Sequence, residues 1–294
     1  MLLSIRNLSM RYSASAWGLR DLNLDLGPGV LGLLGPNGAG KSTLMRIIAT
    51  VTRPTAGSVA WNGVDIVRSP DTIREVLGYL PQDFGVYPNL NGVEFLEYLA
   101  AVKGLERRSA RKRIGELIES LNLADARKRP LGGYSGGMKQ RIGIAQALLN
   151  DPRILIVDEP TVGLDPEERV SFRNLLADLS GERLIILSTH IVSDVEATAT
   201  DLAIIDHGRL LRRAAPEALL AEVTGKVWEW LIPSAEVQSV RQQFLVSSTI
   251  RRTGGVQVRA VAEAPPCSSA RHVEPLLEDA YLYLISARRA EAEV

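Results

Sequence analysis

The chain reads as an α/β protein built on a mostly parallel sheet, and three observations predict it. Short, wholly apolar runs recur at "GVLGLLG" (29–35), "ILIVD" (154–158), "LIILS" (184–188) and "LAIID" (202–206). Such runs suit strands buried on both faces, as in a parallel sheet. Helix-type patterns separate the later runs, as in "PEERVSFRNLLADLSG" (166–181), and that alternation calls for crossover helices. The third observation is a glycine-rich loop, "GPNGAGKST" (35–43), set between the first apolar run and the helical "LMRIIAT".

Ahead of that loop, "LLSIRNLSMRY" and "LRDLNLDL" alternate with period two, the pattern of half-buried strands. Residues ~84–150 have a different character and read as a mostly helical insertion in the α/β core. There "NGVEFLEYLAAVKG" opens with Asn91 and Glu94 in capping-box spacing and closes on Lys103-Gly104. "SARKRIGELIESLNL" follows, with Ile114, Leu117, Ile118 and Leu121 on one face. After Gly225 come "VWEWLI", "STIRRTGGVQVRAVAE" and "LLEDAYLYLISA", read as short strands around a turn plus a helix. Residues 1–220 are therefore expected to form one domain and 226–294 a small C-terminal α+β appendage with no catalytic constellation.

Composition narrows the function classes. Lys+Arg and Asp+Glu are equal at 34 each among 294 residues, so no overall field draws the chain to nucleic acid or an anionic membrane. The basic cluster Arg107, Arg108, Arg111, Lys112 and Arg113 lacks interleaved aromatics and reads as a solvated helix face. The one cysteine, Cys267, rules out an internal disulfide framework and fits a reducing compartment. No signal peptide is expected at "MLLSIRNLSMRYS", and no window reaches the ~20 apolar residues that span a bilayer. Any membrane role must then come through a partner.

"GPNGAGKST" matches G-x-x-x-x-G-K-[ST] in the context that motif needs, after a strand and before a helix. Gly35, Gly38 and Gly40 let the loop curve through Pro36, Asn37 and Ala39 so that the N–H groups of its non-proline residues face phosphate oxygens. Lys41 offers a cation to the β/γ-phosphates, Ser42 a hydroxyl to Mg²⁺, and Thr43 continues the helix start. In "ILIVDEP", Asp158 and Glu159 stand at the carboxyl end of a buried strand, where ligands of open α/β sheets bind. Asp158 suits the Mg²⁺ shell, and Glu159 suits a general base acting on an attacking water.

The ordered set "GPNGAGKST", "YLPQD", "YSGGMKQR", "ILIVDEP", "GLDP" and "STH" resembles the nucleotide-binding subunits of ATP-binding cassette (ABC) transporters over residues ~1–215. The resemblance implies a P-loop NTPase cassette: a RecA-like core, an antiparallel β subdomain and an inserted helical subdomain. It also implies two cassettes packed head-to-tail, each ATP held between the phosphate loop of one and the signature loop of the other. Carried over position by position, Tyr12 stacks on adenine and Gln82 reaches Mg²⁺ and the attacking water. Asp165 communicates across the dimer, and also reads as a helix N-cap before Pro166. His190 contacts the γ-phosphate, while Ser135, Gly136 and Gly137 meet the partner's ATP. His207 and His272 have no such context. The family most often shows leucine and glutamine where Tyr134 and Met138 stand; since Ser135, Gly136 and Gly137 are retained, the departure is expected to tune activity rather than abolish it.

The expected protein is thus an ATPase that uses ATP and Mg²⁺, works with a second cassette (identical or a paralogue) and powers an integral membrane permease. It would lie in the cytoplasm, peripheral to the cytoplasmic face of the membrane through that permease, with the aromatic "DFGVYPNL" (83–90) passing motion to it. No direct nucleic-acid partner is expected. The tail segment "EPLLEDAYLYL" (274–284) resembles the C-terminal end of export-type cassettes. The other reading is a soluble ABC ATPase acting on ribosomes or DNA, whose usual second cassette or long coiled coil is missing from this sequence. A non-catalytic regulatory module would have lost Lys41 or Glu159, and both are present.

Overall fold

A computed structural model describes residues 1–161 and 164–292. The described chain divides into two compact units, Met1–Arg213 and a second beginning at Ala214.

In the first unit the order is β1 (Leu3–Arg11), β2 (Trp17–Leu26), β3 (Gly29–Leu34), α1 (Lys41–Ile48), β4 (Ala56–Trp61), β5 (Val64–Asp65), α2 (Asp71–Arg74) and β6 (Leu77–Leu80). Three helices follow: α3 (Gly92–Val102), α4 (Arg107–Ser120) and α5 (Gly136–Ala147). Then come β7 (Ile154–Asp158), α6 (Pro166–Ser180), β8 (Leu184–Ser188), α7 (Val192–Glu196), β9 (Asp201–Asp206) and β10 (Arg209–Ala214). A six-stranded sheet has the order β10-β9-β3-β8-β7-β6, and its β9-β3-β8-β7-β6 portion is parallel throughout. An antiparallel sheet, β2-β1-β4-β5, makes a separate layer.

One apolar core joins these layers. Leu3, Ile5, Leu22 and Leu24 of the antiparallel sheet, Leu44, Met45 and Ile48 of α1, and Ile156 and Ile186 of the parallel sheet belong to the same buried cluster. Each such side chain contributes about 1.5–3 kcal/mol of burial. Helix α1, which begins at the phosphate loop, is therefore fixed from both sides. Strand register sets the level of the site, since Leu33 pairs with Ser188 and Ser188 with Asp158. The carboxyl ends of β3, β7 and β8 thus emerge together.

The insertion between β6 and β7 is helical, as its periodicity predicts. At α3, Asn91 Oδ1 accepts from the Val93 and Glu94 N–H groups at 3.0 Å, and the Asn91 N–H donates to Glu94 Oε2 at 2.9 Å, a complete capping box. Helix α4 buries Ala110, Ile114, Leu117 and Ile118 and turns its basic face outward. Arg111 pairs there with Glu97 and Lys112 with Glu116 in exposed bridges, a solvated face.

The second unit contains α8 (Pro216–Val223), β11 (Val227–Ile232), α9 (Val237–Gln243), β12 (Leu245–Arg252), β13 (Gly255–Val261), β14 (Arg271–His272) and α10 (Leu277–Ala292). Its antiparallel sheet runs β12-β13-β11-β14. Trp230, Ile232, Val256, Val258 and Ala260 form its core, with Val237, Val240 and Phe244 packed against them. Arg259 ties β13 to β11 and α10 by donating to Glu229 (2.9 Å) and to the fully buried Asp279 (2.8 Å). Helix α8 packs on α10 and so belongs to this unit, which places the division before α8.

Candidate active site

Helix α1 opens without a capping side chain. Its N-cap is Gly40, at φ 109°, and no side chain bonds the first-turn N–H groups. Uncapped N–H groups and the positive end of the helix together favour an anion. Gly40 is forced twice over: its φ disfavours other residues, and a Cβ there would strike the Gly18 carbonyl oxygen. Lys41 is buried, 6% exposed, and donates to the carbonyl oxygens of Gly35 (2.7 Å) and Pro36 (3.3 Å). Burial pushes its pKa below the ordinary lysine value, and the charges of Glu159 and Asp158 partly oppose that shift.

A cleft of about 590 Å³ lies over this helix end, lined by Tyr12, Trp17, Gly18, Asn37 through Thr43, Gln82, Glu159 and His190. Residues from five separate stretches of sequence therefore face one space. Glu159, directly after β7, adopts φ 50°, a left-handed conformation rare for a residue with a side chain. Its N–H donates to the Ser188 carbonyl at 2.9 Å. Its carboxylate accepts from His190 Nδ1 at 2.8 Å, leaving Nε2 of that imidazole for another partner. Tyr12 is 57% exposed, and its hydroxyl lies 3.0 Å from Thr43 Oγ1.

Asp158 lies under the cleft wall, 3% exposed, and its Oδ1 has no hydrogen-bond partner. A buried carboxylate oxygen left alone is costly unless a cation or its water completes it. Among the described residues no cluster of three or more His, Cys, Asp or Glu could hold a metal by itself. An isolated carboxylate whose charge reaches Lys41 of the phosphate loop suits Mg²⁺, a metal bound by few protein ligands plus substrate phosphates.

Ser135, Gly136, Gly137 and Asp165 do not line this cleft. Ser135 is the N-cap of α5, its Oγ accepting from the Met138 N–H at 3.2 Å, and Ser135 and Gly136 are exposed. Asp165 caps α6 in a capping box with Glu168, and Pro166 occupies the first turn. Gly163 of "GLDP" lies outside the described residues. The two unusual residues of the signature stretch share one neighbour. Tyr134 is buried, donates its hydroxyl to the Ala126 carbonyl at 2.9 Å, and lies under Arg129, whose Nη2 donates to Met138 Sδ at 2.9 Å.

The family model described as "ABC transporter" matches residues 19–162. The NatA ATP-binding protein of Bacillus subtilis (strain 168) is 34% identical over 225 residues, 76% of this chain and 92% of its own length. This chain belongs to the ABC transporter ATP-binding proteins. The daunorubicin/doxorubicin resistance ATP-binding protein DrrA of Streptomyces peucetius is 35% identical over 226 residues, 76% of this chain and 68% of its own. The probable multidrug ABC transporter ATP-binding protein YbhF of Escherichia coli (strain K12) is 32% identical over 271 residues, 87% of this chain and 47% of its own. This chain therefore spans about half the length of that relative. Among solved structures, a bacterial ABC transporter cassette in dimeric form superposes with a TM-score of 0.67 at 25% identity, covering 72% of this chain and 98% of that one.

The ABC cassette holds further residues at its site that motif reading did not supply. Trp17 lines the cleft with the Arg11 and Arg20 guanidinium carbons 5.1 and 5.4 Å from its ring centroid. Thr161 donates to the buried Asp194 carboxylate at 2.6 Å, joining the segment after Glu159 to the helix after His190. Each pair is distant in sequence or lies outside a motif, so only the fold reveals it. Among the described residues no helix is long and apolar enough to cross a membrane.

Proposed function

We propose that this cassette binds and hydrolyses ATP as one half of a head-to-tail pair and so powers a membrane permease, in the export direction. The observation that carries the reading is the split between its two loops. The phosphate loop shares one cleft with Gln82, Glu159 and His190, whereas Ser135 and Gly136 stand exposed elsewhere on the same chain. One cassette thus provides one phosphate cradle and one signature loop, and a complete site needs a second cassette. The partner can be an identical chain or a paralogue.

In this reading Tyr12 exchanges its bond to Thr43 for stacking on adenine. The N–H groups of residues 37–43 and the Lys41 ammonium hold the phosphates. Ser42, Gln82 and Asp158 would hold Mg²⁺, which supplies charge neutralisation to the β/γ-phosphates. Glu159 orients the attacking water as general base, and its bond to His190 sets the imidazole beside the γ-phosphate. Closure of the partner's signature loop excludes water and completes the site.

The export reading is supported by the tail over 274–284 and by the drug-resistance and multidrug names of two relatives. The permease contact is assigned to the aromatic group after Gln82, where Phe84 meets Phe95 and Tyr87 meets Tyr98 edge to face, Tyr87 and Phe95 are tilted together, and Tyr87 and Tyr98 are exposed. That contact would hold the cassette at the cytoplasmic face of the membrane. The first unit, with its helical insertion, serves as the ATPase domain and the second as an accessory domain.

Glu159→Gln tests the core of the proposal. It should retain ATP affinity, lower turnover by about a hundredfold or more and trap an ATP-bound dimer visible by size-exclusion chromatography with light scattering. Wild-type turnover in that variant would remove Glu159 as the base.

A further inference from the structure

Glu168 lies between the start of α6 and the signature loop. On one side it closes the capping box of α6: the Asp165 N–H donates to its Oε2 at 3.3 Å, and its own N–H donates to Asp165 Oδ1 at 2.8 Å. On the other side its carboxylate lies against Gly137 of the signature loop, so that a Cβ on Gly137 would run into it. A side chain at Gly137 would therefore displace the Glu168 carboxylate from its place.

Arg141 closes the triangle. Its Nη2 donates to Glu168 Oε1 at 3.4 Å, its Nε to the Gly137 carbonyl at 3.4 Å, and its Nη1 to the Leu121 and Asn122 carbonyls at 3.4 and 3.2 Å. The pair is partly buried, with side chains 24% and 28% exposed. Beside it a cavity of about 260 Å³, lined by Leu121, Ile144, Leu164 and Phe172, separates the ends of α4 and α5 from α6. At that level the helical insertion meets α6 through this ion pair and the rim of a cavity.

We propose that Glu168 is a positioning residue, bridged by Arg141, that ties the signature loop to the Asp165 start of α6 in the same chain. The setting of the loop that serves the partner's nucleotide thereby depends on this carboxylate. The inference rests on the head-to-tail reading above and adds a link within one chain. Charge makes it specific. The Glu168 carboxylate lies beside the loop that must receive a phosphate, and Arg141 neutralises it. Loss of Arg141 alone leaves a bare anion facing an anion.

The test measures ATP-dependent dimerisation by light scattering in the Glu159→Gln chain, with ATP binding to the monomer and thermal melting as companion readings. Glu168→Gln should leave monomer ATP affinity within about twofold and weaken dimerisation about tenfold. Arg141→Ala should weaken it further, and Glu168→Gln added to Arg141→Ala should recover part of the loss. A merely structural role would make the double variant the worst of the three. That order, or a Glu168→Gln chain that dimerises like its parent, overturns the inference and leaves the proposed function standing. A parent chain that forms no ATP-dependent dimer overturns the proposed function, and the inference with it.

Discussion

The chain has two glycine-rich loops that each start a helix, and they are finished in opposite ways. At α1 the N-cap is a left-handed glycine, no side chain caps the first turn, and a buried lysine follows at once. At α5 the N-cap is Ser135, already bonded to the Met138 N–H, with Tyr134, Arg141 and Glu168 packed around it. The first is an open cradle completed by Glu159, His190 and Gln82 of its own chain. The second is a braced presenting surface whose exposed Ser135 and Gly136 have none of those groups at hand. Glycine content alone does not distinguish a loop left open over a cleft from one braced by its own chain. The surroundings do.

Mixing two damaged chains would break that comparison most sharply. Lys41→Ala removes the cradle's cation, and on the proposed function Ser135→Ala removes a bond to the partner's phosphate, lowering turnover about tenfold or more. In a mixed pair, the cradle of the Ser135→Ala chain faces the intact signature loop of the Lys41→Ala chain. ATPase activity of the mixture should exceed the mean of the two parents. Activity equal to that mean would show that the loops do not meet across a pair.

A smaller effect should come from pH. The Lys41 pKa is held below that of free lysine by burial, so the ammonium is lost at a lower pH than usual. Phosphate binding needs the charged form, and affinity should therefore fall as pH rises through that lowered pKa. Titration of ATP affinity between about pH 8 and 10.5 should show the decline in the parent and a flat response in Lys41→Ala. A matching decline in both would assign it to another group.

The smallest effect concerns the presenting loop. Met138 already holds a place beside Arg129, so Met138→Gln exchanges one peripheral contact for another. Turnover should change by no more than about threefold, the scale of one ordinary hydrogen bond. Rescue of an otherwise inactive chain by that substitution would mean that Met138, not the partner's arrival, limits the wild-type protein.

What was legible in the sequence follows from how local each feature is. The phosphate loop, the Asn91–Glu94 box and the Asp165 cap each lie within a turn or two of chain, so the residues that interact are also neighbours in sequence. The buried strands at 29–34, 154–158, 184–188 and 201–206 were readable because each is apolar on both faces. Strand β6 was not, since four residues carry no period, and it is fixed as a strand by pairing with β7. Trp17 belongs to no motif and reaches the cleft only because β2 leads past the helix start. The contacts of Glu168 with Gly137 and of Thr161 with Asp194 join positions about thirty residues apart, a separation that periodicity does not encode. Helix α8 carries an ordinary helical pattern, and nothing in it says which neighbour it will pack on.

The backbone of Glu159 has one further consequence. At φ 50° it occupies a conformation that glycine would adopt with less strain. Selection for stability alone would favour removing its side chain, whereas selection for the proposed role as general base would keep the carboxylate. The residue thus records a conflict between endurance and work, and lineages released from the need to hydrolyse ATP should lose this position early.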